Sequence, residues 1–118
     1  MNSFVLCLGS NLEPREERIV RALDALSDFV NVESESDFNE SADIFGQGEP
    51  YINKVVTGFT ALSLERFVEE IARIEAAGER QAGPTVSIDI DLVIWNGRIV
   101  SVHDFEAPFF RSLYPVKG

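Results

Sequence analysis

Apolar and polar positions along this chain change their spacing several times, and each change predicts an element. Ser3 to Leu8 (SFVLCL) is a short apolar run with aromatic and β-branched content, halted by Gly9, Ser10 and Asn11; it predicts a buried strand running into a turn. Glu13 to Glu17 reads as a helix start, with Pro14 at an early position and acids in the first turn, where the helix dipole favours them. Ile19, Leu23, Leu26 and Val30 then share one face, so this helix is amphipathic and ends near Phe29. Val32 to Phe38 alternates weakly and carries three acids, the pattern of an edge strand. Asn39 to Pro50, with two glycines and a proline, reads as a long loop.

Tyr51 to Leu62 (YINKVVTGFTAL) returns to strand character. Ser63 can cap a second helix through Ala77, with an apolar stripe of Leu64, Phe67, Val68, Ile71 and Ile74 and a stop at Gly78. Glu79 to Thr85 is a further loop and Val86 to Trp95 a final long strand. The tail from Arg98 to Gly118 has aromatic residues but little periodicity, and irregular packing is expected of it. The order strand, helix, strand, strand, helix, strand predicts an α+β fold. Its expected form is a ferredoxin-like βαββαβ arrangement, a mostly antiparallel four-stranded sheet with two helices on one face.

Composition narrows what such a fold does. A chain of 118 residues, 45% of them hydrophobic, suits one domain spanning residues 1–118 with a single core. It has no apolar run of membrane-spanning length, and the N-terminus lacks the basic flank and cleavage pattern of a signal peptide, so a cytoplasmic location is expected. The lone Cys7 sits in an apolar strand, where cysteine serves as a small hydrophobe more often than as a nucleophile. A net charge of -10 argues against a nucleic-acid partner, which would need a basic footprint. A nucleotide that arrives with its own divalent metal is not excluded.

Four short stretches could carry chemistry. Asp89 and Asp91 lie two apart in a strand and therefore share a face, while Ile88, Ile90 and Leu92 point to the other. Asp suits strands poorly. Two carboxylates at a same-face spacing of roughly 7 Å can bracket Mg2+, although two solvent-facing acids on an open sheet face explain an isolated DxD as well. Gly9-Ser10-Asn11-Leu12 places a glycine turn between the first strand and the first helix, where backbone donors can meet a ligand or simply close a tight turn. Tyr51 and Asn53 share a strand face, so an aromatic plane and an amide could hold a flat heterocycle, or pack as ordinary strand residues. Arg73-Ile74-Glu75 and Gly78-Glu79-Arg80 complete the set, with Arg80 the one basic residue between Ala76 and Gly97.

In this order, LGSNL, YIN, RIEAAGER and GPTVSIDIDLVIWNG resemble the 6-hydroxymethyl-7,8-dihydropterin pyrophosphokinases of folate biosynthesis, over residues Phe4 to Pro108. The resemblance implies Mg2+-dependent transfer of diphosphate from ATP to the pterin hydroxymethyl group. It implies that Asp89 and Asp91 ligate two Mg2+ ions at the catalytic centre and that Asn53, Tyr51 and Gly9 form the pterin subsite. It further implies that Glu75 and Arg80 serve the nucleotide, with Arg80 also counted as catalytic. The chain departs from the family where Thr85 to Ile88 follow Gly83-Pro84 without the usual arginine, where the tryptophan near the acids is missing and where Phe109 replaces a histidine after Pro108. Arg98, Arg111 or Lys117 could supply the missing cations. Other readings are a pterin- or metal-binding protein that transfers nothing, and an interaction domain that forms a homo-oligomer through exposed Phe105, Phe109 and Phe110.

Overall fold

The computed structural model describes residues 1–41, 49–78 and 86–116. Among the described residues six strands form one antiparallel sheet: β1 (Asn2–Ser10), β2 (Val30–Glu35), β3 (Asn39–Ser41), β4 (Tyr51–Thr60), β5 (Asp89–Trp95) and β6 (Arg98–Ile99). Their order is β2-β4-β1-β5-β6, with β3 also on β4. The four longer strands keep the expected chain order and antiparallel pairing. The expected four-stranded sheet is therefore corrected to six by two short additions.

Both additions have local causes. Asn39 to Ser41, read from sequence as loop, pairs with Asn53 to Tyr51 because the chain leaving β2 stays alongside β4. β6 returns along β5 through Asn96 and Gly97, whose positive φ values of 50° and 79° suit the tight hairpin turn that Asn-Gly favours. The Asn-Gly pair was visible in the sequence.

Helices α1 (Arg15–Leu26) and α2 (Leu64–Ala76) cover one face of the sheet. Alternate β1 residues Phe4, Leu6 and Leu8 meet Ile19, Ala22 and Leu26 of α1 and Phe67 and Ile71 of α2 in the main core. Ser63 caps α2 by accepting from the Arg66 N–H at 3.3 Å. Leu64 and Val68, expected in the stripe, are exposed, while Glu70 is buried and pairs with Arg66 and Arg73. A charge cluster takes the place that periodicity gave to aliphatic residues.

The tail is ordered rather than irregular through residue 116. Helices α3 (Val102–Glu106) and α4 (Pro108–Leu113) lie on the opposite sheet face, where buried Phe110 joins Val5, Cys7, Val55, Val93 and Ile94. Phe105 and Phe109 pack against that cluster, so the three phenylalanines face inward and do not make the exposed patch expected of a subunit contact. Two helices on one face thus becomes two on each. No described helix is long and apolar enough to cross a membrane.

Candidate functional site

Pairing register determines which side chains meet. Gly9 faces Asn53 on β4 and Asp89 on β5, and Cys7 one row away faces Val55 and Asp91. Because Cys7 and Val55 belong to the cluster beneath α4, residues 9, 53, 89 and 91 share the face opposite α1 and α2. Tyr51, two residues before Asn53, joins them. A Cβ on Gly9 would stand 3.0 Å from Asn53 Oδ1 and 3.4 Å from Tyr51 Cδ2, so the glycine leaves room for both side chains. The bare position forms a floor between the aromatic-amide pair and the acids.

Asn53 is buried, and its Nδ2 donates to the Asn39 carbonyl at 3.2 Å and to Ser41 Oγ at 2.7 Å. The short β3 thereby fixes the orientation of the amide. No helical or alternating pattern marks Asn39 and Ser41, which is why sequence reasoning missed them.

The acids are held in an unfavourable field. Burial first, then the charges of Asp89, Asp104 and Glu75, raise the Asp91 pKa to about 8. Glu75 reaches from the end of α2 to β5, where its Oε2 accepts from the Ile90 N–H at 2.8 Å. Burial raises the Glu75 pKa, the Ile90 hydrogen bond opposes that rise and the charge of Asp89 adds to it. The Cys7 thiol is also pushed up, by burial first and then by Asp91, and stays protonated. A cation beside these carboxylates would relieve their mutual repulsion.

Mg2+ fits this donor set. It takes oxygen ligands and keeps several waters, so two carboxylates suffice without a closed cage. Among the described residues, no group of three or more His, Cys, Asp or Glu side chains forms such a cage. Asp104 is the acid that the sequence pattern did not bring forward. It lies in α3, where Ser101 Oγ donates to its carboxylate at 2.6 Å, and the Ser101-x-x-Asp104 spacing is a helix-start signal that would have located both α3 and this charge.

The basic candidates are dispersed. Arg80 and Lys117 lie outside the described residues. Arg73 pairs with Glu70 at 3.1 Å, and Arg15 with Glu13 and Glu40. Arg98 is on exposed β6, and the Arg111 guanidinium lies 6.0 Å from the Phe105 ring centre. A register shift between β1 and β5 turns Trp95 to the helix face, 5.5 Å from Phe67, and so away from the acids.

The fold and site define an α+β protein whose sheet, on the face it shares with α3 and α4, carries an aromatic-amide pair across a glycine from paired acids. Residues 5–113 match the family of 7,8-dihydro-6-hydroxymethylpterin-pyrophosphokinase, and the chain belongs to that family. It is also 36% identical, over an alignment of 134 positions, to the folate synthesis bifunctional protein of Chlamydia trachomatis serovar D. That match covers 95% of this chain and 29% of the relative, so the chain spans less than a third of that protein's length.

Proposed function

We propose that this protein transfers diphosphate from ATP to 6-hydroxymethyl-7,8-dihydropterin in a Mg2+-dependent reaction of folate biosynthesis. The single observation carrying this reading is the row Asn53, Gly9, Asp89, which brings the aromatic-amide strand beside the two acids on one face. Tyr51 offers its ring to the pterin plane and Asn53 its amide oxygen to the pterin edge, its Nδ2 being held by Asn39 and Ser41. Asp89 and Asp91 would hold two Mg2+ ions, with Glu75 steadying the strand between them through Ile90. Bound there, Mg2+ supplies charge neutralisation and Lewis-acid polarisation of the transferred diphosphate. The hydroxymethyl oxygen attacks the β-phosphorus of ATP, the bond from that phosphorus to the α,β-bridging oxygen breaks, AMP departs and the hydroxyl proton passes to water. The chain's own residues mainly position the reactants. Arg80 is proposed for the phosphates, and a soluble, cytoplasmic enzyme with pterin and ATP as its small-molecule partners is the matching setting.

AMP release from ATP and the hydroxymethyl pterin, measured for wild type and Asp89→Ala, tests this. Release well above the variant's level is expected; release equal to it overturns the transfer. The second reading, a protein that binds pterin without transfer, is favoured by the engagement of Arg15 with Glu13 and Glu40. Calorimetry then decides, since that reading requires pterin binding that disappears in Asn53→Ala.

A further inference from the structure

A cavity of about 400 Å3 lies between α1 and α2, beside Ser87 and Ile88 and on the sheet face opposite the acids. Arg18, Arg21 and Arg73 line it, over Ala22, Ala25 and Ile74. In a chain with 20 acids and 10 basic residues, three guanidiniums around one cavity invert the local sign of charge. Arginine presents planar, forked donors suited to phosphate oxygens. The volume is that of a small-molecule pocket.

The arginines are arranged to receive an anion at little structural cost. Arg18 is already oriented, since it donates to the Leu12 carbonyl at 3.0 Å, the Glu13 carbonyl at 3.2 Å and Ser87 Oγ at 3.4 Å. Arg21 and Glu17 form an ion pair with both side chains more than half exposed, and such pairs are weak and exchangeable. Arg73 pairs with the buried Glu70, but Arg66 stands 3.7 Å from the same carboxylate. Swinging Arg73 to a ligand leaves Glu70 with a cation. Buried Ala22, with Ala25 and the half-buried Ile74, offers an apolar surface that a bare inorganic anion would not use.

We propose that this cavity binds a small organic phosphate of nucleotide size, its phosphate on the three guanidiniums and its uncharged body against Ala22, Ala25 and Ile74. The site is separate from the acid face, and its occupancy does not depend on the diphosphate-transfer reading.

Calorimetry on the full chain at low salt, with EDTA present, tests this with AMP, adenosine and inorganic phosphate as probes. AMP should bind saturably, with adenosine and phosphate each at least tenfold weaker. The Arg21→Ala/Arg73→Ala double variant should weaken AMP by about tenfold for each guanidinium removed. Ala25→Leu, which fills the floor and leaves the arginines in place, should also weaken it, while Asp89→Asn/Asp91→Asn should not. Absence of AMP binding at millimolar concentration overturns the proposal. So does phosphate binding as tightly as AMP, or an affinity indifferent to both cavity variants with circular dichroism confirming their fold. Loss of AMP binding only in the aspartate variant places the nucleotide on the acid face and overturns it equally.

Discussion

Gly9 and Asn53 stand directly opposite each other on β1 and β4, and Asn53 Oδ1 lies 3.0 Å from where a Cβ on residue 9 would sit. The same Cβ would meet the Tyr51 ring at 3.4 Å. Gly9→Ala should therefore move both proposed pterin contacts at once. Overpacking of this kind costs about 1–3 kcal/mol. Pterin affinity should fall about tenfold or more, and Asn53→Ala should add little in the Gly9→Ala background because the two changes act on one contact. Calorimetry on the singles and the double checks this, and additive losses would show that the residues act separately.

The raised Asp91 pKa makes stability depend on pH in a stated direction. In the unfolded chain the carboxyl ionises near its ordinary value of 3.8, whereas in the fold it holds its proton to about 8. Between those values the folded state binds more protons at this carboxyl, so its contribution to stability is full below about pH 4, falls as pH rises and levels off above 8. The metal-free protein should melt several degrees lower at pH 8.5 than at pH 5. Asp91→Asn should flatten that decline, and millimolar Mg2+ should raise the melting temperature of wild type at pH 8.5 more than at pH 5. Thermal melts in EDTA and in Mg2+ make the comparison.

Glu75 has two separable effects, a hydrogen bond to Ile90 and a charge near Asp89. Glu75→Gln keeps an acceptor oxygen for the Ile90 N–H while removing the charge, so the metal-free protein should be as stable as wild type or more so. Glu75→Ala removes the acceptor and should cost about 1 kcal/mol, a value held down by the partial exposure of the site. Denaturant unfolding in EDTA distinguishes them. Equal destabilisation by both would mean that the carboxylate charge, rather than the hydrogen bond, holds β5 at this point.

Strand and helix periodicity made the main scaffold legible because Phe4, Leu6 and Leu8, and Ile19 and Leu26, each serve one continuous core. Period-two geometry likewise brings Asp89 and Asp91 to one face, and the pairing adds Gly9, Asn53 and Tyr51. What stayed hidden depends on contacts distant in sequence. Asn39 orients Asn53 from a three-residue strand too short to show a period. Asp104 reaches the acid field from α3, in a tail whose helices are five and six residues long. Trp95 changes faces through a shift in pairing that no single-strand pattern encodes. Leu64 and Val68 misled because helical spacing defines a face and not its depth; buried Glu70, neutralised by Arg66 and Arg73, occupies part of that surface.

Phe110 seals the acid side of the sheet from within. It is 1% exposed, stacks on Tyr114 at 5.3 Å and lies 5.8 Å from Phe105, in the same cluster as Cys7. Truncating such a ring costs about 3–5 kcal/mol. Phe110→Ala should lower the melting temperature sharply and, below that temperature, speed labelling of Cys7, whose burial and raised pKa keep it inert in wild type. Phe110→Leu, which restores most of the volume, should recover much of both. Sedimentation run alongside separates this internal role from a subunit contact: an altered mass with an unchanged melt and an unreactive Cys7 would return Phe110 to an interface.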